Sequence, residues 1–290
     1  MIITQLKGGL GNQLFQYAAG LSLANYHNVP LKVDVGLLKN PDELIGTLRN
    51  FELQHLHHPP AIATVAEINN VRNQNFITKY FDMLRPSYQR IVYNEKQFNF
   101  DPNFFSSGKN IYLKGYRQSE LYFSSIEQII RNSFQLKMEL IAGVSELAEK
   151  LKQTASVSIH IRRGDYKNAT VQQYHGILTE SYYQEAIRQI STQIKNPLFF
   201  IFSDDIDWVK MNLLFDSNTT FVSGNISHTH YEDFYLMSQC RHNIIGNSSF
   251  SWWAAWLNNY SEKIVIAPKK WFGNAPNDTK DLIPQNWIKI

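Results

Sequence analysis

Apolar positions along the chain fall into two alternating regions separated by a less regular middle. At the start, MIITQL is a short apolar run, KGGLGN a glycine-rich turn, QLFQYAAGLSLANYH an apolar face at helical spacing, and VPLKVDV a second strand-like run. Strand, turn, helix and strand in that order predict a βαβ unit and a parallel sheet. Between Leu37 and Lys114 the pattern breaks down. Pro59, Pro60, Pro86 and Pro102 interrupt it, and tyrosines and phenylalanines recur without a clean period. From Leu121 to Lys152 helical spacing returns, with SELAEKLKQ plainly amphipathic.

The second alternating region begins near residue 153. SVSIHI, PLFFIFS, TTFVS, HNIIGN and KIVIAP read as strands, and PLFFIFS is an uninterrupted apolar run of the kind buried on both faces of a parallel sheet. ESYYQEAIRQISTQI, IDWVKMNLLF, HYEDFYLMSQC and SSFSWWAAWLNNY read as the helices between and after them. The pattern predicts an α/β protein of two units with a cleft between them, with a boundary inside residues 140–155, written here as 1–150 and 151–290.

Composition narrows the function. Of 290 residues, 43% are hydrophobic and 18% charged, the balance of a core-forming globular protein. The formal charge of +3 is spread along the chain with no basic run, which argues against nucleic acid and suits a small anion held by a few arginines. Cys240 is the one cysteine, so intrachain disulfides and multi-thiolate zinc sites are excluded. The first residues lack a signal-peptide pattern, and no run of about 18 apolar residues is present, so a soluble protein of a reducing cytoplasm is expected.

In open parallel sheets ligands bind where strands end at the carboxyl edge. Four polar clusters sit at such ends: KGGLGN, HIRRGDY, FSDD and GNSS. Arg162 and Arg163 carry fixed charge, and their guanidinium forks match phosphate oxygens. They equally suit a strand end paired to nearby carboxylates, with Asp165 the nearest candidate. Ser203, Asp204 and Asp205 close an apolar strand; a carboxylate there can hold a metal, act as a base or accept the N–H pair of a guanine edge. Asp205 also stands where a helix N-cap belongs. Asn247, Ser248, Ser249 and Phe250 lead into a helix whose free N–H groups favour an anion, with capping by the serines the alternative. Trp252 and Trp253 read as core. Gly9 and Gly11 begin a dinucleotide fingerprint, but Leu14 stands where its last glycine belongs, although Asp34 lies near the expected ribose-binding position. The histidine-dense HLHH and HTH segments lack helical metal-ligand spacing, so no metal site is expected.

GGLGNQLFQYAAG, HIRRGDY, FSDD and GNSSFSWWAAWLN, in that order and spacing, resemble the α-1,2-fucosyltransferases of glycosyltransferase family 11. The resemblance runs from Ile3 to about Tyr260, with no matching motif between Asn40 and Asn110. It implies a GT-B architecture: two Rossmann-like domains with parallel sheets facing a cleft, the first holding the acceptor and the second GDP-fucose. It also implies an inverting, metal-independent transfer of fucose from GDP-β-L-fucose to the 2-hydroxyl of a terminal galactose. No cofactor is implied; the partners are the sugar nucleotide and a galactose-terminated glycan. A loose association with the inner membrane face is compatible with the cell-surface glycans that bacterial members decorate. By the same resemblance Arg162 binds the diphosphate, His160 touches the nucleotide and Asp205 faces guanine, with Arg163, Ser203 and Asp204 beside them. Asn247, Ser248, Ser249 and Phe250 lie near the phosphates, and Gly9, Gly11, Asn12 and Gln13 in the N-terminal loop facing the cleft. An inverting displacement wants a base; Asp165 and Asp34 are the candidates, Asp165 suits orientation of an arginine better, and the resemblance also allows a transfer without a strong base. The rival readings are an NAD-dependent oxidoreductase, a non-catalytic sugar-nucleotide-binding module and a fucosyltransferase of another linkage.

Overall fold

The computed structural model describes residues 1–39, 49–73, 76–137, 139, 141–163, 176–215, 218–273 and 278–290. The chain divides into two units: Met1–Lys137 with Asp278–Pro284, and Met138–Asn277 with Gln285–Ile290. Both are built on parallel sheets, as the alternating pattern predicts.

In the first unit, β1 (Ile2–Gln5), β2 (Leu31–Asp34), β3 (Val92–Asn94) and β4 (Ile111–Lys114) form a four-stranded parallel sheet in the order β2-β1-β4-β3. Helix α1 (Leu10–His27) follows β1 and ends where Asn28 takes a left-handed conformation with φ 52°, its N–H bonding back to Ala24 and Asn25 carbonyls. Ile3 and Tyr112 pack with Ala63 and Val71. Val71 lies in α3 (Val65–Arg72), which comes after the short turn α2 (Gly36–Lys39) and before α4 (Phe76–Leu84). The last helix of this unit is α5 (Glu127–Ser133).

The second unit opens with α6 (Ala142–Gln153), which straddles the boundary placed at 150 and buries Val144, Leu147, Ala148 and Leu151. Six parallel strands follow: β5 (Ser156–Ile161), β6 (Leu198–Ser203), β7 (Thr219–Phe221), β8 (His242–Ile244), β9 (Val265–Ala267) and β10 (Ile288–Lys289). Their order is β10-β9-β8-β5-β6-β7. The chain winds outward from β5 in one direction, then returns to its other side at β8. That reversal makes the gap between the carboxyl ends of β5 and β8 a topological switch point, the usual ligand crevice of a doubly wound sheet.

Among the described residues the helices that follow are α7 (Glu180–Ser191), α8 (Ile206–Asn212), α9 (His230–Gln239) and α10 (Ser249–Leu257). Strand alternation sorts the two faces. Val157, Ile159 and Ile161 enter an apolar core with Tyr183, Ala186 and Ile190 of α7 and Val209 of α8. Ser156, Ser158 and His160 point the other way, where Ser158 Oγ accepts from Asn243 Nδ2 at 2.7 Å and Ser156 Oγ donates to the Leu151 carbonyl at 2.6 Å. Trp252, Trp253, Trp256 and Trp287 stack together, the first two fully buried, so the tryptophans of α10 are core as expected. Among the described residues no helix is long and apolar enough to cross a membrane.

Candidate functional site

β5 delivers His160 and then Arg162 to its carboxyl end, and β8 delivers Gly246 and the start of α10 to the same place. Gly246 permits the approach: a Cβ there would lie 3.1 Å from the His160 carbonyl oxygen and 3.8 Å from its Nδ1. Phe250, in the first turn of α10, sets its ring 5.5 Å from that of His160 and 5.4 Å from that of Phe234. Ser248 caps α10 by accepting from the Phe250 N–H at 3.3 Å, and Ser249 is the first helical residue. The start of this helix therefore points its positive end at the switch point.

The register of β5 on β6 pairs Ile161 with Ser203, so Arg162 comes opposite Asp204. Arg162 Nη1 meets Asp204 Oδ2 at 3.0 Å, and the Arg163 N–H donates to Asp204 Oδ1 at 2.8 Å. Asp204, supplied across the sheet by the neighbouring strand, is thus a carboxylate partner of Arg162 that the sequence reading did not pair with it. Asp165 itself lies outside the described residues. The two arginines diverge beyond the strand end. Arg163 lays its guanidinium 3.3 Å from the Trp208 ring centre in α8, a cation–π contact.

Asp205 occupies the N-cap position of α8, but its side chain makes no capping bond, which corrects the cap alternative. A chain of hydrogen bonds sets its backbone instead. The Asp205 N–H donates to Ser203 Oγ at 3.0 Å, the Ser203 N–H to Ser223 Oγ at 3.0 Å, and Ser223 Oγ to Asp233 Oδ2 at 2.7 Å. Ser227 Oγ donates to the other Asp233 oxygen. Burial pushes the Asp233 carboxyl up to about 6, against the pull of the two serine hydroxyls. Asp233 is placed by a reciprocal cap on α9, in which Thr229 Oγ1 accepts from the Glu232 N–H at 3.3 Å and Glu232 Oε2 accepts from the Thr229 N–H at 2.9 Å. Trp208, Ser223 and Asp233 were not singled out from the sequence. The T-x-x-E signature at Thr229–Glu232 was the available signal for the last of them.

His160 is 3% exposed, and burial is the main cause that holds its imidazole well below the ordinary histidine range, with Arg162 adding to this and Asp204 opposing it. It is neutral at pH 7, and its Nδ1 is buried without a hydrogen-bond partner among the described residues. A buried, unsatisfied ring nitrogen beside an arginine and a helix start suits a polar ligand atom. Asn247 has a framework role, with Nδ2 donating to the carbonyls of Gly176 and Trp271 at 3.1 Å each.

The N-terminal loop lies in the first unit and is described there by itself. Gly8 takes φ +78°. The side chain of Gln13, fully buried, is spent on the fold: Nε2 donates to the Gly8 and Asn50 carbonyls at 2.8 Å each, and Oε1 accepts from the Glu52 N–H at 2.9 Å. Asn12 Oδ1 accepts from Gln118 Nε2 at 2.6 Å, joining the first turn of α1 to the segment that follows β4. Gly9 has open space where a Cβ would stand, and Gly11 is buried within α1. Asp34 Oδ1 accepts from the Gly36 N–H at 2.8 Å and Oδ2 from the Tyr112 hydroxyl. Among the described residues no group of three or more His, Cys, Asp or Glu is placed to hold a metal ion.

Known proteins resemble this chain over much of its length. An alpha-1,2-colitosyltransferase of Escherichia coli is 35% identical over 297 residues, covering 100% of this chain and 99% of its own. Galactoside alpha-(1,2)-fucosyltransferase 1 of Homo sapiens is 28% identical over 154 residues, 50% of this chain and 42% of its own. Among solved structures, a mutant of Arabidopsis thaliana FUT1 in complex with GDP has a TM-score of 0.51 at 11% identity, covering 92% of this chain and 70% of that one, a likeness of fold. The family model described as Glycosyl transferase family 11 matches residues 1–290. Fold, switch-point arginine and a match over its entire length converge: the chain belongs to glycosyl transferase family 11.

Proposed function

We propose that this glycosyltransferase moves L-fucose from GDP-β-L-fucose to the 2-hydroxyl of a terminal galactose in a glycan, with inversion and without a divalent ion. The observation that carries the reading is the meeting of Arg162, His160 and the start of α10 at the carboxyl ends of β5 and β8. In the reaction the bond from fucose C1 to the β-phosphate oxygen breaks, the acceptor oxygen bonds to C1 from the opposite side, and the hydroxyl proton passes to a base. Negative charge develops on GDP and positive charge on the sugar. Arg162, fixed in charge and held by Asp204, and the N–H groups of α10 face the developing diphosphate charge, the role a metal plays elsewhere. Neutral His160 offers a ring nitrogen to the nucleotide, and Asp205, its backbone braced through Ser203, Ser223 and Asp233, offers acceptors to the guanine N–H groups. Asp165 and Asp34 are the candidates for the base in this scheme.

A second donor is favoured by one observation: the relative that is 35% identical is a colitosyltransferase. Colitose is fucose without its 3-hydroxyl, so the same nucleotide site serves either sugar. Incubation with GDP-fucose and, separately, GDP-colitose, each with galactose-terminated glycans and a chelator, decides the matter when the product linkage is read by NMR. An α-1,2-fucosylated product supports the first reading, and product from GDP-colitose alone replaces it with the second. No product from either donor, or product only when a divalent ion is restored, contradicts the mechanism.

A further inference from the structure

The first unit carries a cleft of about 270 Å³ whose lining includes Tyr93, Glu95, Lys96, Asn99, Asp101 and Arg117. It opens just beyond the carboxyl ends of β3 and β4, which stop at Asn94 and Lys114. This is the edge at which open parallel sheets bind ligands. At its back stands Arg117, 3% exposed and in the left-handed region with φ 50°. A non-glycine residue there is strained, and such strain gathers at functional sites. Glu95 holds the turn in place: its Oε1 accepts from the Arg117 N–H at 2.8 Å and its Oε2 from the Tyr116 N–H at 2.7 Å.

The hydrogen-bond inventory of the cleft is incomplete on both sides. Arg117 donates through Nη1 to the Lys114 carbonyl at 2.9 Å and through Nη2 to the Tyr93 carbonyl at 3.2 Å, two of the five N–H groups a guanidinium carries. Among the described residues its charge is met by the faces of Tyr93 and Phe104, 4.7 and 5.4 Å away, rather than by an ion pair. Each Glu95 oxygen retains a lone pair beyond the backbone bond it accepts. Asn99 Oδ1 is buried without a partner, while its Nδ2 donates to Asp278 at 2.8 Å. Phe100 stands edge-on to Tyr122 with ring centres 4.9 Å apart, adding an aromatic wall.

This chemistry selects its ligand. Glu95 and Asp101 offset Lys96 and Arg117, so the lining has no excess positive charge to select a phosphate or carboxylate, and the unsatisfied polar atoms reject an apolar chain. A sugar ring has hydroxyls that donate to carboxylates and accept from a guanidinium, and a C–H face that packs on an aromatic ring. The volume falls below the roughly 300–1,000 Å³ of pockets for drug-sized ligands, enough for one ring and not for an oligosaccharide. We propose that this cleft is a saccharide subsite that takes one neutral pyranose unit of the acceptor glycan. The assignment rests on the reading above that the transferred sugar goes to a glycan, and it can fail separately from that reading.

The test uses Gln97→Trp, an exposed residue of the lining whose replacement fills the cleft without touching the core, and Glu95→Gln as a second variant. Methyl β-D-galactopyranoside and methyl α-D-glucopyranoside are followed by saturation-transfer NMR on the full chain with GDP present. GDP affinity is measured in parallel by calorimetry. A pyranoside signal with wild type that is lost in Gln97→Trp and weakened in Glu95→Gln, with GDP affinity within about twofold, supports the subsite. Acceptor KM should then rise at least about tenfold in Gln97→Trp, with GDP affinity as before. Pyranoside binding unchanged in both variants, no pyranoside signal from wild type, or loss of GDP binding in step with the sugar would each overturn it. Failure of wild type to bind GDP at all strikes instead at the donor reading, while the pyranoside signal still judges the cleft.

Discussion

Replacing Arg162 with alanine separates the chemistry from the fold. The guanidinium meets Asp204 at 3.0 Å, and the two side chains are 24% and 25% exposed. A partly exposed pair of this kind contributes at most about 1 kcal/mol to stability, because water re-solvates the carboxylate left behind. For a chain of this size that corresponds to a thermal midpoint lowered by no more than about 4 °C. The transition state is affected far more. One preorganised donor to a developing oxyanion contributes about 2.7–4 kcal/mol, so kcat should fall by about 10²–10³. Asp204, no longer neutralised, adds repulsion against the diphosphate and weakens GDP binding. The assays are steady-state transfer, GDP calorimetry and thermal unfolding on the same preparations. The double variant Arg162→Ala with Asp204→Asn removes that repulsion: GDP affinity should partly recover while kcat stays low. If Arg162 acted only by holding Asp204 in place, the double variant would be no worse than Asp204→Asn alone. Turnover by Arg162→Ala within about fivefold of wild type, a change of only about 1 kcal/mol in the barrier, would refute the reasoning.

Three further outcomes follow from the geometry. Ser223→Ala leaves the buried Ser203 N–H without an acceptor, a cost of about 1–3 kcal/mol, and loosens the loop that presents Asp205; GDP affinity should fall while acceptor KM holds, and unaltered GDP affinity counts against the brace. Gln13→Ala removes three buried hydrogen bonds and should lower the thermal midpoint by several degrees, whereas Gly9→Ala, with open space around the added methyl, should leave it unchanged; equal effects would contradict the framework role of Gln13. His160 and His242 are each pushed down to about 4 chiefly by burial, so the folded state resists protonation below 6.5, and stability present above that value drains away as pH falls toward 4. Asp233, raised to about 6, works in the opposite sense below that pH, but as one acid against two histidines it leaves a net loss. His242→Asn, which can keep an acceptor for the Ile264 N–H, should flatten the dependence of the thermal midpoint on pH, and an unchanged slope would contradict the assignment.

Much of the second unit is legible in the sequence because its strands are buried on both faces and its helices are amphipathic, so periodicity reports both. PLFFIFS and SVSIHI read correctly for that reason, and their carboxyl ends carry the polar residues that form the site. Register is not legible, since every parallel offset satisfies an all-apolar strand equally well. Only the pairing of Ile161 with Ser203 shows that Asp204 faces Arg162. Strand order is likewise a property of the whole sheet, and the placing of β8 beside β5 makes GNSS and HIRR neighbours. In the first unit, β3 and β4 are only three and four residues long and lie among prolines and turns, too short for alternation to register. Gln13 misleads in a different way: a polar residue in a glycine-rich loop suggests a ligand contact, while three backbone groups already occupy it.

The central claim, that the switch point of the second sheet holds the diphosphate of a GDP-sugar, is tested most directly by a crystal structure of the chain grown with GDP. The account predicts the diphosphate within hydrogen-bond distance of Arg162 and the first turn of α10, with guanine on the Asp205 side. GDP seated away from the carboxyl ends of β5 and β8, or making no contact with Arg162, would contradict it.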